Sequence, residues 1–275
     1  MSGTGFRVAR LSGTVEGTDG PIPVRDYRPV GSEGGRPLLW IHGGAFISGG
    51  LDQRESDAPA RVWAASGRWV RTVQYRLAPR VSLVRDRPLR AGPGRFPAAL
   101  HDVVDVIRAL TDQTGAPIDV GGASAGANLA AAATLRLRDD GATMPRRLAL
   151  AYGTFHGGPI LGSPVYERLR GPLGRWAFNP AMLRRMNLNY VGDPEMLGPG
   201  LAFPGGSDLT GLPPTLIMDA DNDRLRASGT AFAAELRAAG VEVRETTVRA
   251  LHGFLAVPRS AAFRTGTREI EHWLS

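Results

Sequence analysis

The sequence predicts an α/β protein with a mostly parallel central sheet flanked by helices. Short apolar runs rich in β-branched residues, typical of buried strands, alternate with segments whose apolar residues recur every three or four positions, typical of helices. The chain has 275 residues, a length that suits one large α/β domain. We therefore expect a single domain over residues 1–275.

The first part of the chain contains three predicted strands and two predicted helices. In the second helix, five apolar residues from Phe96 to Leu110 step by 4, 3, 4 and 3 positions and so share one face. Residues 80–95 are rich in Arg, Pro and Gly, which is typical of a loop. In order, the elements are a β-like run Ile22–Tyr27, a strand Pro37–His42, a helix over residues 57–66, a strand Arg68–Leu77 and the helix from Phe96.

The second part continues the alternation, with one interruption. The predicted elements are a strand Ala116–Gly122, a helix Asn128–Arg138, a strand Arg147–Phe155, a strand Pro214–Asp221, a helix around Phe232–Ala239, a strand Val241–Val248 and a helix from about Ser260 to Trp273. Residues 156–210 lose this rhythm and become rich in Gly, Pro, Met and aromatic residues. We expect them to lie over the carboxyl edge of the sheet, where open α/β sheets bind ligands, and to form a small cap with residues 1–20.

The composition excludes several kinds of site. The chain has no cysteine, which excludes disulfides, cysteine metal sites and thiol nucleophiles. Its five histidines show no HExxH-type pairing, so we expect no metal site, and no other motif requires a cofactor.

The charge points to no macromolecular partner. The net charge is +7 and every basic residue is Arg, but these residues are scattered and not interleaved with aromatic ones. Scattered charge is typical of a solvated surface, and we expect no nucleic-acid binding. No stretch approaches a signal peptide or the roughly 18 apolar residues of a membrane span. We therefore expect a cytoplasmic protein.

The turn Val120–Ala130, with the sequence VGGASAGANLA, places Ser124 between Gly122 and Gly126. A serine hydroxyl is a weak nucleophile that needs a base, a group orienting that base, and donors for the oxyanion. A strand precedes this turn and a helix follows, the context in which a Gly-x-Ser-x-Gly turn exposes a nucleophile. The N–H of Ala125, in the first helical turn, is free to face a developing negative charge. Taken alone, the turn is about as compatible with a structural or phosphate-binding connection.

A second glycine-rich segment supplies more oxyanion donors. The sequence IHGGAF, Ile41–Phe46, lies at the end of a predicted strand. Gly43 and Gly44 allow the backbone to approach a ligand closely and to aim N–H groups at it. We therefore include Gly43, Gly44 and Ala45 with Ala125 in the predicted oxyanion hole.

The acid and the base follow later in the chain. The segment DADNDRL after a predicted strand offers three carboxylates, and LHGFL offers His252, so the chain order is Ser, Asp, His. Asp219 lies at the strand's end and suits a buried structural role. Asp221 and Asp223 lie in the loop, where a carboxylate can reach the histidine. The residues themselves favour Asp223 only slightly.

These segments together resemble the hormone-sensitive lipase-like family of α/β-hydrolases, the bacterial carboxylesterase type, from about Tyr27 to the C-terminus. The matching blocks are IHGGAF, YRLAP at Tyr75–Pro79, FPAALHD at Phe96–Asp102, GASAGANLA, LPPTLI at Leu212–Ile217, and LHGF. The resemblance implies an α/β-hydrolase fold. Carried over residue by residue, it implies the nucleophile Ser124, the acid Asp223, the base His252 and the oxyanion donors Gly44, Ala45 and Ala125.

The sequence departs from the family at several positions near the site. Ala45 stands where the family has a third glycine, and its methyl group narrows the space beside the acyl carbon. Ala123 stands where an Asp is usual. Ala227 and Ser228 replace an acidic pair, which removes rival carboxylates and favours Asp223.

Aromatic residues are the candidates for the substrate pocket, although packing explains each of them about as well. They are Phe46, Phe155, Trp176, Phe178 and Phe254. The Arg-rich residues 80–95 are better explained as a solvated loop than as a grip for an anionic substrate. The resemblance also implies a possible homodimer that pairs through the last strand, near Val241–Val248.

The sequence therefore predicts a serine carboxylesterase that hydrolyses short- to medium-chain esters, small-molecule substrates, through an acyl-enzyme. Cleavage of amides or aryl formamides, and acyl transfer, use the same residues and stay open as alternatives. A non-catalytic ligand-binding protein on this fold is a further alternative, but such proteins usually lack the nucleophile or the base, and here Ser124, Asp223 and His252 are all present.

Overall fold

The computed structural model describes residues 5–32, 34–82 and 94–275. Its strands are β1 Val8–Gly17, β2 Gly20–Pro29, β3 Leu38–Ile41, β4 Val70–Val73, β5 Asp119–Ala123, β6 Leu148–Ala151, β7 Thr215–Ala220 and β8 Val243–Val248. Its helices are α1 Arg54–Ala65, α2 Ala98–Thr114, α3 Ala125–Asp139, α4 Gly171–Trp176, α5 Pro180–Val191, α6 Arg226–Ala238 and α7 Ala261–Leu274. Short 3-10 helices cover Tyr166–Arg168, Pro194–Leu197 and Phe254–Ala256.

The strands form one sheet in the order β1-β2-β4-β3-β5-β6-β7-β8. β1 pairs antiparallel with β2, β2 pairs antiparallel with β4, and the other neighbours are parallel. This confirms the predicted mostly parallel sheet. Every residue of β3, β5, β6 and β7 is buried, because helices cover both faces of a parallel sheet.

Helices pack on both faces and divide the core into two layers. On one face, α2, α3 and α6 contribute residues such as Leu100, Leu129 and Phe232 to the larger apolar cluster. On the other face, α1 and α7 contribute Trp63 and Trp273 to the second cluster. The predicted face of α2 is thus the buried one, as the spacing of its apolar residues requires.

The structure corrects the prediction that residues 1–20 belong to the cap. Val8–Gly17 forms β1, paired with β2 from Val8 opposite Pro29 to Gly17 opposite Gly20. A tight turn joins the two strands, with Gly20 at a φ of 115°, a value that favours glycine. These residues therefore belong to the sheet and not to the predicted cap. β1 is mostly exposed, so it carries too few apolar residues for its pattern to predict a strand.

The carboxyl ends of the parallel strands meet at one edge of the sheet. The oxyanion segment follows β3, Ser124 follows β5, and the loops with the acid and the base follow β7 and β8. Residues 156–210, with α4 and α5, lie between β6 and β7 and therefore begin at this edge. Within the Arg-rich stretch predicted as a loop, residues 83–93 lie outside the described residues.

Candidate active site

Ser124 lies at the sharp turn from β5 into α3. Its backbone has a φ of 53° and a ψ of −118°, a strained conformation for a residue other than glycine. A Cβ on Gly122 would lie 2.4 Å from the carbonyl oxygen of Gly126, and one on Gly126 would lie 2.2 Å from that of Ile41. Both positions therefore require glycine, as the predicted turn does. Helix α3 begins three residues earlier than predicted, directly after Ser124.

The structure brings Ser124, His252 and Asp223 together. The Ser124 hydroxyl lies 3.0 Å from Nε2 of His252, and Nδ1 of His252 lies 2.6 Å from Oδ2 of Asp223. With the proton on Nδ1, the imidazole donates to the carboxylate and accepts from the hydroxyl. This is the arrangement in which a histidine can take a proton from serine.

The structure separates the three candidate acids. Oδ1 of Asp221 accepts the Ala250 N–H at 2.9 Å, and its Oδ2 pairs with Arg170 at 2.6 Å. Asp219 is buried next to α6, where its Oδ2 would lie 2.3 Å from a Cβ on Gly229. Burial raises the pKa of Asp219 well above its usual range. Asp223 is the carboxylate that faces the histidine.

The electrostatics of His252 suit a base. Burial lowers the pKa of His252, but the charge and hydrogen bond of Asp223, together with the charge of Glu55, raise it, so the net pKa lies above the usual 6.5. An imidazolium at this position is therefore stabilised by the carboxylate behind it.

Three backbone donors near Ser124 are free. The N–H groups of Gly44, Ala45 and Ala125 donate to no acceptor within the described part of the chain. Ala45 has a φ of 55°, which bends the segment after β3. The N–H of Gly43, in contrast, donates to Oε2 of Glu55 at 2.8 Å. Gly43 is therefore no donor to a substrate in this geometry, contrary to the prediction, because its N–H is already engaged.

His42 supports the oxyanion segment from behind. Its Nδ1–H donates to the carbonyl oxygen of Gly43 at 2.6 Å, and its ring stacks on Tyr75 with 4.3 Å between ring centres. The Tyr75 hydroxyl donates to the carbonyl oxygen of His42 at 3.1 Å. Burial lowers the pKa of His42 to about 4, so this ring is neutral at pH 7 and holds the loop.

Most of the aromatic residues predicted for the pocket lie in the core. Phe46 stacks on Tyr190, Phe155 stacks on Phe232, and Phe254 packs edge-on against Tyr152. All three are buried, so their contacts are with protein and the prediction that they line a substrate pocket is not supported.

Of the two other aromatic residues, Phe178 remains a pocket candidate. The ring centre of Phe178 lies 4.5 Å from that of His252. Phe178 lines a cavity of about 180 Å³ beside Asp223 and His252, with apolar walls that include Leu173 and Leu251. Trp176, at the end of α4, is 51% exposed and does not line this cavity.

A second serine bonded to a histidine lies outside this site. Nδ1 of His156 lies 2.8 Å from Oγ of Ser228, and its Nε2 lies 3.0 Å from Oε1 of Glu235. The Ser228 oxygen also accepts the Phe155 N–H at 2.9 Å. Ser228 lies within α6, without a turn that would expose its hydroxyl. These contacts join the start of residues 156–210 to α6.

Glu55 is a buried residue beside the site that the motifs of the sequence do not predict. This side chain is buried, and it accepts hydrogen bonds from Gly43 N–H and, at 2.7 Å, from the Tyr152 hydroxyl. Glu55, Pro59 and Trp63 recur every four residues on the buried face of α1. A carboxylate on an apolar helix face just after the oxyanion segment is the signal that could have found it.

The described residues meet the requirements neither of a metal site nor of a membrane-spanning helix. They contain no group of three or more His, Asp or Glu side chains that could hold a metal ion. None of the helices they form has the length and apolar character needed to cross a membrane.

Comparisons with known proteins identify the fold and the family of the chain. A family model described as the alpha/beta hydrolase fold matches residues 38–256. The chain is 33% identical over 264 residues to carboxylesterase NlhH of Mycobacterium tuberculosis, with 94% of this chain and 80% of the relative covered. It is 27% identical over 259 residues to an arylesterase of Saccharolobus solfataricus, with 88% and 76% covered.

A solved structure shares the fold over nearly the whole chain. The hyperthermophilic esterase from the archaeon Pyrobaculum calidifontis superposes with a TM-score of 0.82 at 27% identity, covering 97% of this chain and 85% of the other. The family match covers well over half of the chain, and the identity to the mycobacterial relative extends over nearly all of it. The chain therefore belongs to the hormone-sensitive lipase-like family of α/β-hydrolases.

Proposed function

We propose that this protein is a serine carboxylesterase that hydrolyses short- to medium-chain carboxylic esters through an acyl-enzyme on Ser124. One observation carries the proposal: the unbroken hydrogen-bond chain from Ser124 through His252 to Asp223, with distances of 3.0 and 2.6 Å. Relatives named as carboxylesterase and arylesterase support the ester as the substrate class.

In the first half of the reaction, the Ser124 oxygen attacks the ester carbonyl while Nε2 of His252 takes its proton. Asp223 keeps the imidazole in the required tautomer and stabilises its positive charge. The N–H groups of Gly44, Ala45 and Ala125 hold the oxyanion of the tetrahedral intermediate. His252 then gives the proton to the leaving alcohol, and the acyl group stays on Ser124.

In the second half, a water molecule replaces the alcohol. His252 takes a proton from this water, whose oxygen attacks the acyl carbon, and the same N–H groups hold the new oxyanion. The C–O bond to Ser124 breaks, His252 returns the proton to the serine oxygen, and the carboxylic acid leaves. His252 carries the proton in every step, so this mechanism requires no cofactor or metal.

The surroundings of Ser124 support a limit on substrate size. The methyl group of Ala45 and the ring of Phe178 pack against the cluster of Leu183, Met186 and Leu225, which narrows the space next to the oxyanion donors. We propose that residues 156–210 act as a cap, since Leu173 and Phe178 from this segment wall the cavity beside His252.

The test is hydrolysis of p-nitrophenyl esters from acetyl to dodecanoyl by the wild type and by Ser124→Ala. We expect activity that peaks at short or medium chains and falls by at least about 10³-fold in the variant. Ser228→Ala is the matched control, because Ser228 also bonds a histidine but lies outside the proposed machinery. This control should keep its activity, and a fluorophosphonate probe should label Ser124. Activity that survives in Ser124→Ala would refute the proposal.

The same experiment separates the alternatives. Labelling of Ser124 without turnover of any ester would redirect the search to amides, aryl formamides or acyl transfer, which need the same triad. No labelling and no turnover would indicate a ligand-binding protein that performs no chemistry.

We also propose that the protein forms a homodimer through β8. Within the part of the chain that the structure describes, this strand lies at the edge of the sheet, next to β7 only, and such an edge can pair with a second copy. Light scattering should give twice the chain mass, and a proline at an exposed β8 position should give a monomer. The cytoplasmic location expected from the sequence stays a prediction, which fractionation of expressing cells would test.

A further inference from the structure

Glu55 is a buried carboxylate directly behind the oxyanion segment. Its side chain is 4% exposed and lies in the first turn of α1. Among the described residues it forms no ion pair with an Arg or His side chain. A buried carboxylate without a cation is costly, and the positive end of the α1 dipole offsets part of that cost. The contacts of the Glu55 carboxylate therefore indicate its role.

Both contacts of Glu55 come from donors. Oε2 accepts the N–H of Gly43 at 2.8 Å, and Oε1 accepts the hydroxyl of Tyr152 at 2.7 Å. An ionised carboxylate can only accept, so the two donors match it. The two contacts lead to different parts of the proposed site.

The first contact leads to the oxyanion donors. A Cβ on Gly43 would lie 2.4 Å from Oε2 of Glu55 and 3.0 Å from Cβ of Ser124. The Gly43 backbone thus lies between the carboxylate and the nucleophile, with no room for a side chain. Gly44 and Ala45 follow immediately in the chain, so the position of their N–H groups depends on this contact.

The second contact leads to the base. The ring of Tyr152 packs edge-on against His252, with 4.9 Å between ring centres. Burial raises the pKa of Tyr152 well above its usual range, and the Glu55 charge raises it further. Its hydroxyl therefore keeps its proton and stays a donor to Glu55. Tyr152 has a φ of 38°, so its backbone is held in a conformation that is unusual for a tyrosine.

We propose that Glu55 is a positioning residue for the esterase reaction proposed above. It holds the oxyanion donors through Gly43, fixes the ring of Tyr152 that walls His252, and provides a second negative charge that stabilises the imidazolium formed during the reaction. It touches neither substrate nor the reacting atoms. The inference rests on the proposed function and adds a residue to it.

Charged side chains near His252 affect how readily it takes a proton. Asp223 bonds its Nδ1 directly, the carboxylate of Glu55 lies behind Tyr152, and Arg224 lines the same cavity as His252. Burial lowers the pKa of His252, Asp223 raises it most, and the Glu55 charge also raises it. Removing the Glu55 charge should therefore make His252 harder to protonate.

Two substitutions separate the position of the carboxylate from its charge. Glu55→Gln keeps the length of the side chain and removes its charge. It can also keep both contacts, because its amide oxygen can accept from the Gly43 N–H and its amide nitrogen can donate to the Tyr152 oxygen. Glu55→Asp keeps the negative charge but shortens the side chain by one methylene group, which moves the carboxylate away from Gly43 and Tyr152. The readouts are kcat, KM and the pH profile of kcat/KM with a p-nitrophenyl ester of short chain.

For Glu55→Gln we expect the acid limb of kcat/KM to move to lower pH by about 0.5 to 1 unit. For Glu55→Asp we expect the limb to stay and kcat to fall about 10- to 100-fold, with KM changed less than about threefold. Asp119→Asn is the control, since Asp119 is also a buried carboxylate but lies at the amino end of β5 and bonds Arg146. It should lower stability without moving the pH profile.

The inference is overturned if both Glu55 variants fold and keep the wild-type kcat and pH profile. It is also overturned if they lose activity only in proportion to lost folded protein, as Asp119→Asn would. Loss of the proposed function would show differently, because the wild type would then be inactive on esters or Ser124→Ala would stay active.

Discussion

Replacing Gly126 by alanine tests whether α3 packs as tightly on β3 as the structure indicates. The new Cβ would lie 2.2 Å from the carbonyl oxygen of Ile41 and 2.5 Å from that of His42. Both oxygens belong to backbone, which cannot rotate away as a side chain can. The helix and the strand must therefore move apart by roughly 1 Å to restore a normal contact.

Two opposing effects set the change in the free energy of unfolding. In a helix without this clash, alanine would be more favourable than glycine by up to about 1 kcal/mol. Overpacking of a buried contact costs about 1–3 kcal/mol, and more where backbone must move. We expect the clash to dominate and Gly126→Ala to be destabilised by about 2 kcal/mol net.

The same displacement should also slow the reaction at Ser124. Gly126 is two residues after Ser124, and the carbonyl oxygens that it meets belong to the start of the oxyanion segment. A shift of about 1 Å between nucleophile and donors costs on the order of 100-fold in rate. We expect kcat on a short p-nitrophenyl ester to fall by about this factor.

The assay is chemical denaturation together with steady-state kinetics. Gly13→Ala is the matched control, since a Cβ there meets nothing within 4 Å, and it should change neither stability nor kcat by much. A Gly126→Ala protein as stable and as active as the wild type would refute the packing argument. That result would mean that α3 can move away from β3 without loss of stability or activity.

The remaining predictions concern the base and the oxyanion segment. Because the net pKa of His252 lies above 6.5, kcat/KM should fall on the acid side with a midpoint above that value, and Asp223→Asn should lower both that midpoint and, by about 10⁴-fold, kcat. The His252–Asp223 contact should stabilise the fold at pH below the unfolded histidine pKa and lose this effect as pH rises through the raised value, which denaturation at several pH values checks. Ala45→Gly should raise thermal stability by relieving a positive φ of 55°, worth about 1 kcal/mol, and should increase rates on longer acyl esters relative to acetyl, as the ester series measures. A midpoint below 6.5, or an unchanged chain-length profile in Ala45→Gly, would contradict these expectations.

The prediction from sequence was most successful where the pattern is local. Buried strands read as apolar runs, and the five apolar residues of α2 mark its buried face, because each element must hide its own apolar side chains. It was least successful for β1, which pairs along its whole length but exposes most of its side chains. Backbone pairing at a sheet edge leaves no mark in hydrophobicity.

The chain alone predicted the fold class and the family resemblance, and through that resemblance it predicted the triad of Ser124, Asp223 and His252. Its residues by themselves favoured Asp223 over the two neighbouring carboxylates only slightly. The tertiary structure decided what depends on distances between loops far apart in the chain. It aimed Asp223 at His252 and turned Asp219 and Asp221 elsewhere. It also engaged the Gly43 N–H with Glu55. A donor has one hydrogen to give, and only packing in three dimensions decides which acceptor lies near enough to take it.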